Sequence, residues 1–339
     1  MNVSELVAAY RSDPDSPFHK LRFRTRANYA NLCDRISRDH GKTTLSEINA
    51  RVLLRAHETW TASGRVAMAH SLVTMLRILV GFGATILEDT DCERICGALH
   101  RMRFTAPKAR TARLTAEHVE AIITDAHRIG AHSVALAQAL QFEGTMRQRD
   151  VIGEWVPIGE PGTSDVTHAG DKWVRGVRWS QIDDSLILRH ITSKRQKTIE
   201  VDLRLGPLVV REFARIGGLP RSGPIIVSEA TGRPYQSHEF RRLWRRIATA
   251  AGVPAEIYNM DSRAGAITEA IESGASLEHV RHSAAHSNVC MTLAVARACA
   301  RSYRWVMLTL EWAALWRTCS SDAPDSIASV IAPARLSIL

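Results

Sequence analysis

Cysteine is scarce. The six that exist (Cys33, Cys92, Cys96, Cys290, Cys299 and Cys319) are scattered over 339 residues. Such usage argues against a disulfide-stapled scaffold and for a reduced, cytoplasmic compartment. Cys92, Cys96 and His100 share a helical face by spacing, yet three ligands on one helix with no fourth nearby make a poor zinc site. Packing is the better explanation for them, and neither a metal nor a cofactor is expected. A membrane-spanning run is also lacking. The most apolar stretch, residues 72–87, carries Arg77 and falls short of the length a bilayer requires. The N-terminus, Met1-Asn2-Val3-Ser4-Glu5, has no apolar segment of the secretory kind. No membrane partner is expected. Acidic residues, finally, are missing from residues 101–113, which hold five basic ones.

What is present is positive charge. The chain is 45% hydrophobic and 23% charged, ordinary for a globular protein, but its net charge is +9 and its pI about 9.6. That balance favours a polyanionic partner. The acid-free stretch supplies Arg101, Arg103, Lys108, Arg110 and Arg113. A second cluster, Arg241-Arg242-Leu243-Trp244-Arg245-Arg246, falls on a predicted helix. A solvated face is the bland reading of each. Because the first stretch also looks like an interdomain linker, the expectation is that it contacts DNA, with Arg241 and Arg245 adding to the interface.

The length suggests two or three domains. Residues 16–36, 44–64, 66–81 and 91–102 carry apolar positions at helical spacing and predict a small, basic, all-helical unit. A connector with Pro107 follows. Thr115 then reads as the N-cap of a helix through Ile129, and residues 133–143 as another helix. Three segments, 173–179, 186–191 and 198–203, gather β-formers. Asp183-Asp184-Ser185 and Lys194-Arg195-Gln196-Lys197 supply the turns between them. Helices resume over 208–216, over 237–251 with Ser237 as cap, from Asp261 to Ser273, and over 277–284 behind Ser276. The prediction is a multidomain, mainly α chain, with a helical N-terminal domain and an α+β domain carrying a small three-stranded antiparallel sheet.

Three short segments carry the chemistry. They are Gly144-Thr145-Met146-Arg147-Gln148-Arg149-Asp150, Thr192-Ser193-Lys194, and Asp261-Ser262-Arg263 followed by Ala285-His286. Two arginines, a lysine and a histidine suit a phosphodiester. Arginine binds phosphate bidentately and stays charged at any working pH. Lysine can protonate a leaving oxygen, and histidine can hold or move a proton. Each residue alone has a bland reading: a surface arginine, a solvated hairpin-tip lysine, an Arg263 paired with Asp261 or Glu269, a helix-terminal histidine.

In order and spacing the set resembles the catalytic domain of tyrosine site-specific recombinases, the phage-integrase family. The resemblance covers roughly residues 15–292. It implies a core-binding domain (1–103), a basic linker (104–114), a catalytic domain (115–292) and a divergent tail (293–339). It also implies that Arg147 contacts the scissile phosphate with Asp150 as its buttress. Lys194, with Lys197 as rival, would be the general acid, Arg263 the second phosphate arginine, and His286 a donor to a non-bridging oxygen. The implied partner is double-stranded DNA, with self-association on it. The pattern breaks in three places. Gly144-Thr145 reverses the family's Thr-Gly. Met260 occupies a histidine slot and cannot transfer a proton, with His238 a conceivable substitute. Val295 stands nine residues after His286, where the family has its nucleophilic tyrosine. Tyr303 is the sole tyrosine beyond it, and eight helical residues amount to about 12 Å of rise. Impaired strand cleavage is therefore expected. The alternative is a non-enzymatic DNA-binding module or an antagonist of an active recombinase. A metal-dependent nuclease, the third class weighed, lacks an acidic ligand cluster.

Overall fold

The computed structural model describes residues 1–284 together with 292 and 293. Backbone contacts divide the chain into two compact units, Met1–Ala109 and Arg110–Leu339.

The first unit is helical: α1 (Val3–Ser12), α2 (Phe23–His40), α3 (Ala50–Thr61), α4 (Val66–Thr85) and α5 (Thr90–Arg101). The sequence reading missed α1, although Asn2 and Glu5 form a capping box at its start. It also ran segments together. Pro17 opens a separate 3-10 turn before α2, and Asn49, accepting from the amides of Arg51 and Val52, starts α3 afresh. The apolar run proved longer than expected. Helix α4 has 20 residues and is long and apolar enough to cross a membrane, but half of that window is buried within the unit. Leu72, Leu79 and Val80 are fully enclosed there, beside Leu6 of α1 and Ile95 of α5.

Residues 102–115 have no regular structure. Helix α6 (Ala116–Arg128) then starts at Thr115, whose hydroxyl accepts from the His118 amide as expected. Helix α7 (His132–Glu143) is buried on all sides from Ser133 to Phe142, which marks it as the central element of this unit's core. A one-turn helix, α8 (Gln148–Ile152), was not anticipated.

Strand pairing departs from the prediction. A three-stranded antiparallel sheet is present, but it joins β1 (Glu154–Pro157), β3 (Asp171–Val174) and β2 (Thr167–His168) in that order. The predicted strand at 173 therefore pairs backwards in sequence and ends at Val174. Gly153 permits this: it sits at φ +73, and a Cβ there would strike the Trp173 indole. Strands β4 (Ile187–Ile191) and β5 (Thr198–Asp202) form a separate hairpin, with Ile187 opposite Asp202 and Ile191 opposite Thr198.

Helices α9 (Pro207–Ile216), α10 (Ser237–Ala250), α11 (Ser262–Glu272) and α12 (Leu277–Ser283) complete the unit. Gln236 rather than Ser237 caps α10, sharing a capping box with Glu239. Helix α11 passes so near the main chain at Leu114 that a Cβ on Gly265 would overlap the Leu114 carbonyl.

Candidate functional site

Arg147 lies where α7 gives way to α8. The chain turns there through Thr145, a non-glycine residue at φ +47. A β-branched residue in the left-handed region is strained, and this is the reversed position of the Gly-Thr pair. The turn exposes the Thr145 carbonyl, which accepts from Arg263 Nη1 at 2.7 Å. Nη2 of Arg263 donates to the Ala284 carbonyl. The proposed pairing of Arg263 with Asp261 or Glu269 does not occur: Asp261 takes Arg110, and Glu269 takes the Ala116 amide at 2.6 Å.

Arg147 and Arg263, far apart in sequence, are thus drawn to the same turn. The electrostatics say the same. Burial pushes the Arg263 guanidinium down to about 10; the like charge of Arg147 adds to the shift and Asp150 opposes it. It stays charged at neutral pH, so a buried cation faces a second, partly exposed one, and an anion arriving there would offset their repulsion.

Asp150 holds the cluster. Its carboxylate is 1% exposed. One oxygen stands 3.7 Å from Arg147 Nη1, and the other accepts from the Ser193 amide at 2.7 Å. The second bond ties the β4–β5 turn to the arginines and leaves Lys194, the next residue, exposed at the tip. Lys197 sits across the turn, its carbonyl accepting from the Thr192 amide and hydroxyl. Behind the turn His190 is 2% exposed. Burial lowers its pKa, against the pull of Asp150. Nothing in the sequence singled out His190.

Other expected residues scatter. Met260 is 62% exposed, and His238 lies exposed in the first turn of α10. His286, Val295 and Tyr303 lie outside the described residues. Of the linker cations, Arg101, Arg103 and Lys108 are exposed. Arg110 and Arg113 are instead engaged with carboxylates of the second unit. Arg110 grips Asp261 with Nη2 to Oδ2 at 2.5 Å and stacks on Tyr258 at 4.6 Å, and Arg113 meets Glu272 at 2.9 Å. Their charges are offset within the second unit. Arg241 is exposed, whereas Arg245 bonds the carbonyls of Pro254 and Ile257 and stacks on Trp244. Cys92 is buried, its thiol pushed up to about 12, and Cys96 is also raised by burial, away from the thiolate a metal needs. Among the described residues no three such ligands gather.

No protein-family model matches the chain, and no curated protein matches it either. Solved structures do. A lambda integrase dimer (residues 75–356) bound to a COC′ core site superposes with a TM-score of 0.70 at 17% identity, covering 91% of this chain and 100% of that one. A lambda integrase tetramer bound to a Holliday junction gives 0.68 at 18% identity, covering 91% and 81%. The chain shares the fold of these integrases. The Tn1549 transposon integrase (residues 82–397), in complex with circular intermediate DNA, gives 0.62 at 11% identity over 94% and 99% of the two chains. At such identities the likeness is one of fold.

Proposed function

We propose that this chain is an integrase-like protein that binds duplex DNA and holds one phosphodiester between Arg147 and Arg263, with Lys194 and His286 bordering it. The observation that carries the reading is the meeting of the two arginines at the Thr145 turn, around the buried Asp150. Two guanidinium groups in a water-poor site are the arrangement that stabilises charge on a five-coordinate phosphorus. The DNA-bound dimer and tetramer among the solved structures support duplex DNA as the partner and self-association on it. The division into domains by a linker at 104–114 and a cytoplasmic location belong to the same proposal.

Strand cleavage is a separate matter. Val295 has no nucleophilic atom. We read the chain as a recombinase by descent whose cleavage is severely impaired; the alternative is a non-enzymatic DNA-binding module or an antagonist of an active recombinase.

Two measurements test this. Duplex affinity should fall with salt, by about 0.9 log units per log unit of salt for each phosphate neutralised. Replacing Arg101, Arg103 and Lys108 by alanine should flatten that slope, and Arg263→Lys should weaken binding. Covalent trapping on a suicide substrate should be near zero in the unmodified chain and rise with Val295→Tyr. There the phenolic oxygen would give its proton to solvent and bond to phosphorus as the bond to the 5′ oxygen breaks, and the 5′ oxygen would leave with a proton from Lys194. Strong trapping by the unmodified chain that Tyr303→Phe abolishes would make Tyr303 the nucleophile and overturn the impaired-enzyme reading.

A further inference from the structure

Gln138 lies in the middle of α7, is 0% exposed, and makes an unusual set of bonds for a core side chain. Its Oε1 accepts from Trp244 Nε1 at 2.8 Å and from Asn259 Nδ2 at 3.3 Å. Its Nε2 donates to Ser262 Oγ at 2.9 Å. One carboxamide thus joins α7 to α10, to the turn Asn259–Asp261 and to the first residue of α11. Trp244, Asn259 and Ser262 are themselves 2%, 4% and 1% exposed.

An apolar residue would be the default here, because α7 is enclosed on every side and buried polar groups must be fully paired to be tolerated. Hydrophobic burial is non-directional and leaves a helix free to slide or rotate against its neighbours. A hydrogen-bonded hub fixes both. The particular bonds show what is fixed. Ser262 immediately precedes Arg263. The same helix α7 leads, through Gly144, to the Thr145 carbonyl that receives the Arg263 guanidinium. The Arg263 segment is therefore held twice: to α7 through the Gln138–Ser262 bond, and at the guanidinium by the Thr145 carbonyl of the turn that follows α7.

We propose that Gln138 is a positioning residue that sets, through Ser262, where Arg263 presents its charge to the phosphate. This rests on the DNA-phosphate reading above. The Trp244 bond serves packing of α10, whereas the Ser262 bond serves the site, so the two arms of one hub should separate by experiment.

The probe is a duplex oligonucleotide, with thermal unfolding followed in parallel. Ser262→Ala removes the bond to α11 and leaves Trp244 and Asn259 paired. Trp244→Phe removes the opposite arm and keeps an aromatic ring beneath Arg245. Expected is a loss of about threefold in duplex affinity for Ser262→Ala, the scale of one net hydrogen bond. That loss should vanish in an Arg263→Lys background, as coupled residues require. Trp244→Phe should lower the melting temperature at least as much and leave affinity unchanged. Gln138→Glu adds a second readout. When protonated it can accept from Trp244 and donate to Ser262, so affinity should approach that of the parent at low pH and drop as the buried carboxyl ionises. If Ser262→Ala and Trp244→Phe lower affinity alike, in proportion to stability, the hub is structural only and the inference is wrong. If Arg263→Lys itself leaves duplex affinity untouched, the phosphate reading is what fails.

Discussion

The two units are held together differently. In the first, the buried polar residues among those described are Ser16 and His57; the rest of the interior is aliphatic, aromatic or sulfur-bearing. In the second, Gln138, Asp150, Glu154, His190, Glu212, Asn259, Asp261 and Ser262 are all buried. An apolar core tolerates repacking and fixes geometry loosely. A buried polar network is costly unless every member is paired, and when paired it fixes one arrangement. Some of these groups bear on the two arginines: Asp150 faces Arg147 and opposes the charge shift of Arg263, and Ser262 immediately precedes Arg263. Buried polar contacts are thus concentrated in the second unit, and the interior of the first rests on apolar packing.

The strongest way to break this comparison is Asp150→Ala. It strips the buried partner from Arg147, the opposing charge from Arg263 and the acceptor from the Ser193 amide. Removing one member of a buried ionic set costs about 4 kcal/mol. Urea unfolding should show that loss, and duplex binding should weaken beyond it because the Lys194 tip is released. A cost within the range of a surface substitution would mean that Asp150 is not the anchor. Leu79→Ala, at a fully enclosed position of α4, should cost about 3 kcal/mol through the cavity it leaves. Its effect on duplex affinity should be small, since no directed polar contact is lost.

The difference between the units also governs what the sequence could reveal. Helices of the first unit were legible because apolar spacing forms them. What was missed there, α1 and the break at Pro17, was written in caps rather than in periodicity. In the second unit Arg147, Lys194 and Arg263 stood out by residue type and order. Their supports did not. Gln138 and His190 look like ordinary polar residues in a helix and a strand, and only burial reveals them. Sheet pairing was misread because Trp173 and Val174 suit any partner strand, and the choice of β1 depends on Gly153 allowing close approach to the indole. Arg110 and Arg113 looked like free linker charge, since sequence cannot show carboxylates that arrive from Asp261 and Glu272.

A smaller effect concerns Glu143, whose two carboxylate oxygens accept from the Leu208 and Val209 amides at the start of α9. Burial raises its pKa above the ordinary carboxylate value, in spite of those two bonds. The unfolded chain therefore loses this proton first as pH rises. The stability contributed is full below about pH 4.5 and declines as pH climbs through the raised folded pKa. Glu143→Gln should remove that component, so the difference in unfolding free energy between the two proteins should change across this window and level off above it. A constant difference from pH 4 to 7 would mean that the amide bonds cancel the burial.

The least costly departure is at Thr145. Its φ of +47 is disfavoured for a β-branched residue, and such strain typically amounts to about 1 kcal/mol or more. Glycine adopts the conformation freely but has more freedom to lose on folding. The Thr145 side chain is also buried, and its contacts would be lost. Strain relief exceeds these two losses only slightly, so Thr145→Gly should stabilise the protein by about 0.5 kcal/mol, read as a rise in the denaturant midpoint at constant slope. Gly144 should not be exchanged in compensation, because a Cβ there would meet the Leu140 carbonyl at 2.7 Å. The Thr145 carbonyl keeps its place, so the bond to Arg263 and the duplex affinity should persist. If stability instead falls, the threonine side chain contributes more than its backbone strain takes away. The turn would then join Asp150 and Gln138 as a place where a polar side chain, rather than the path of the main chain, sets the arginines.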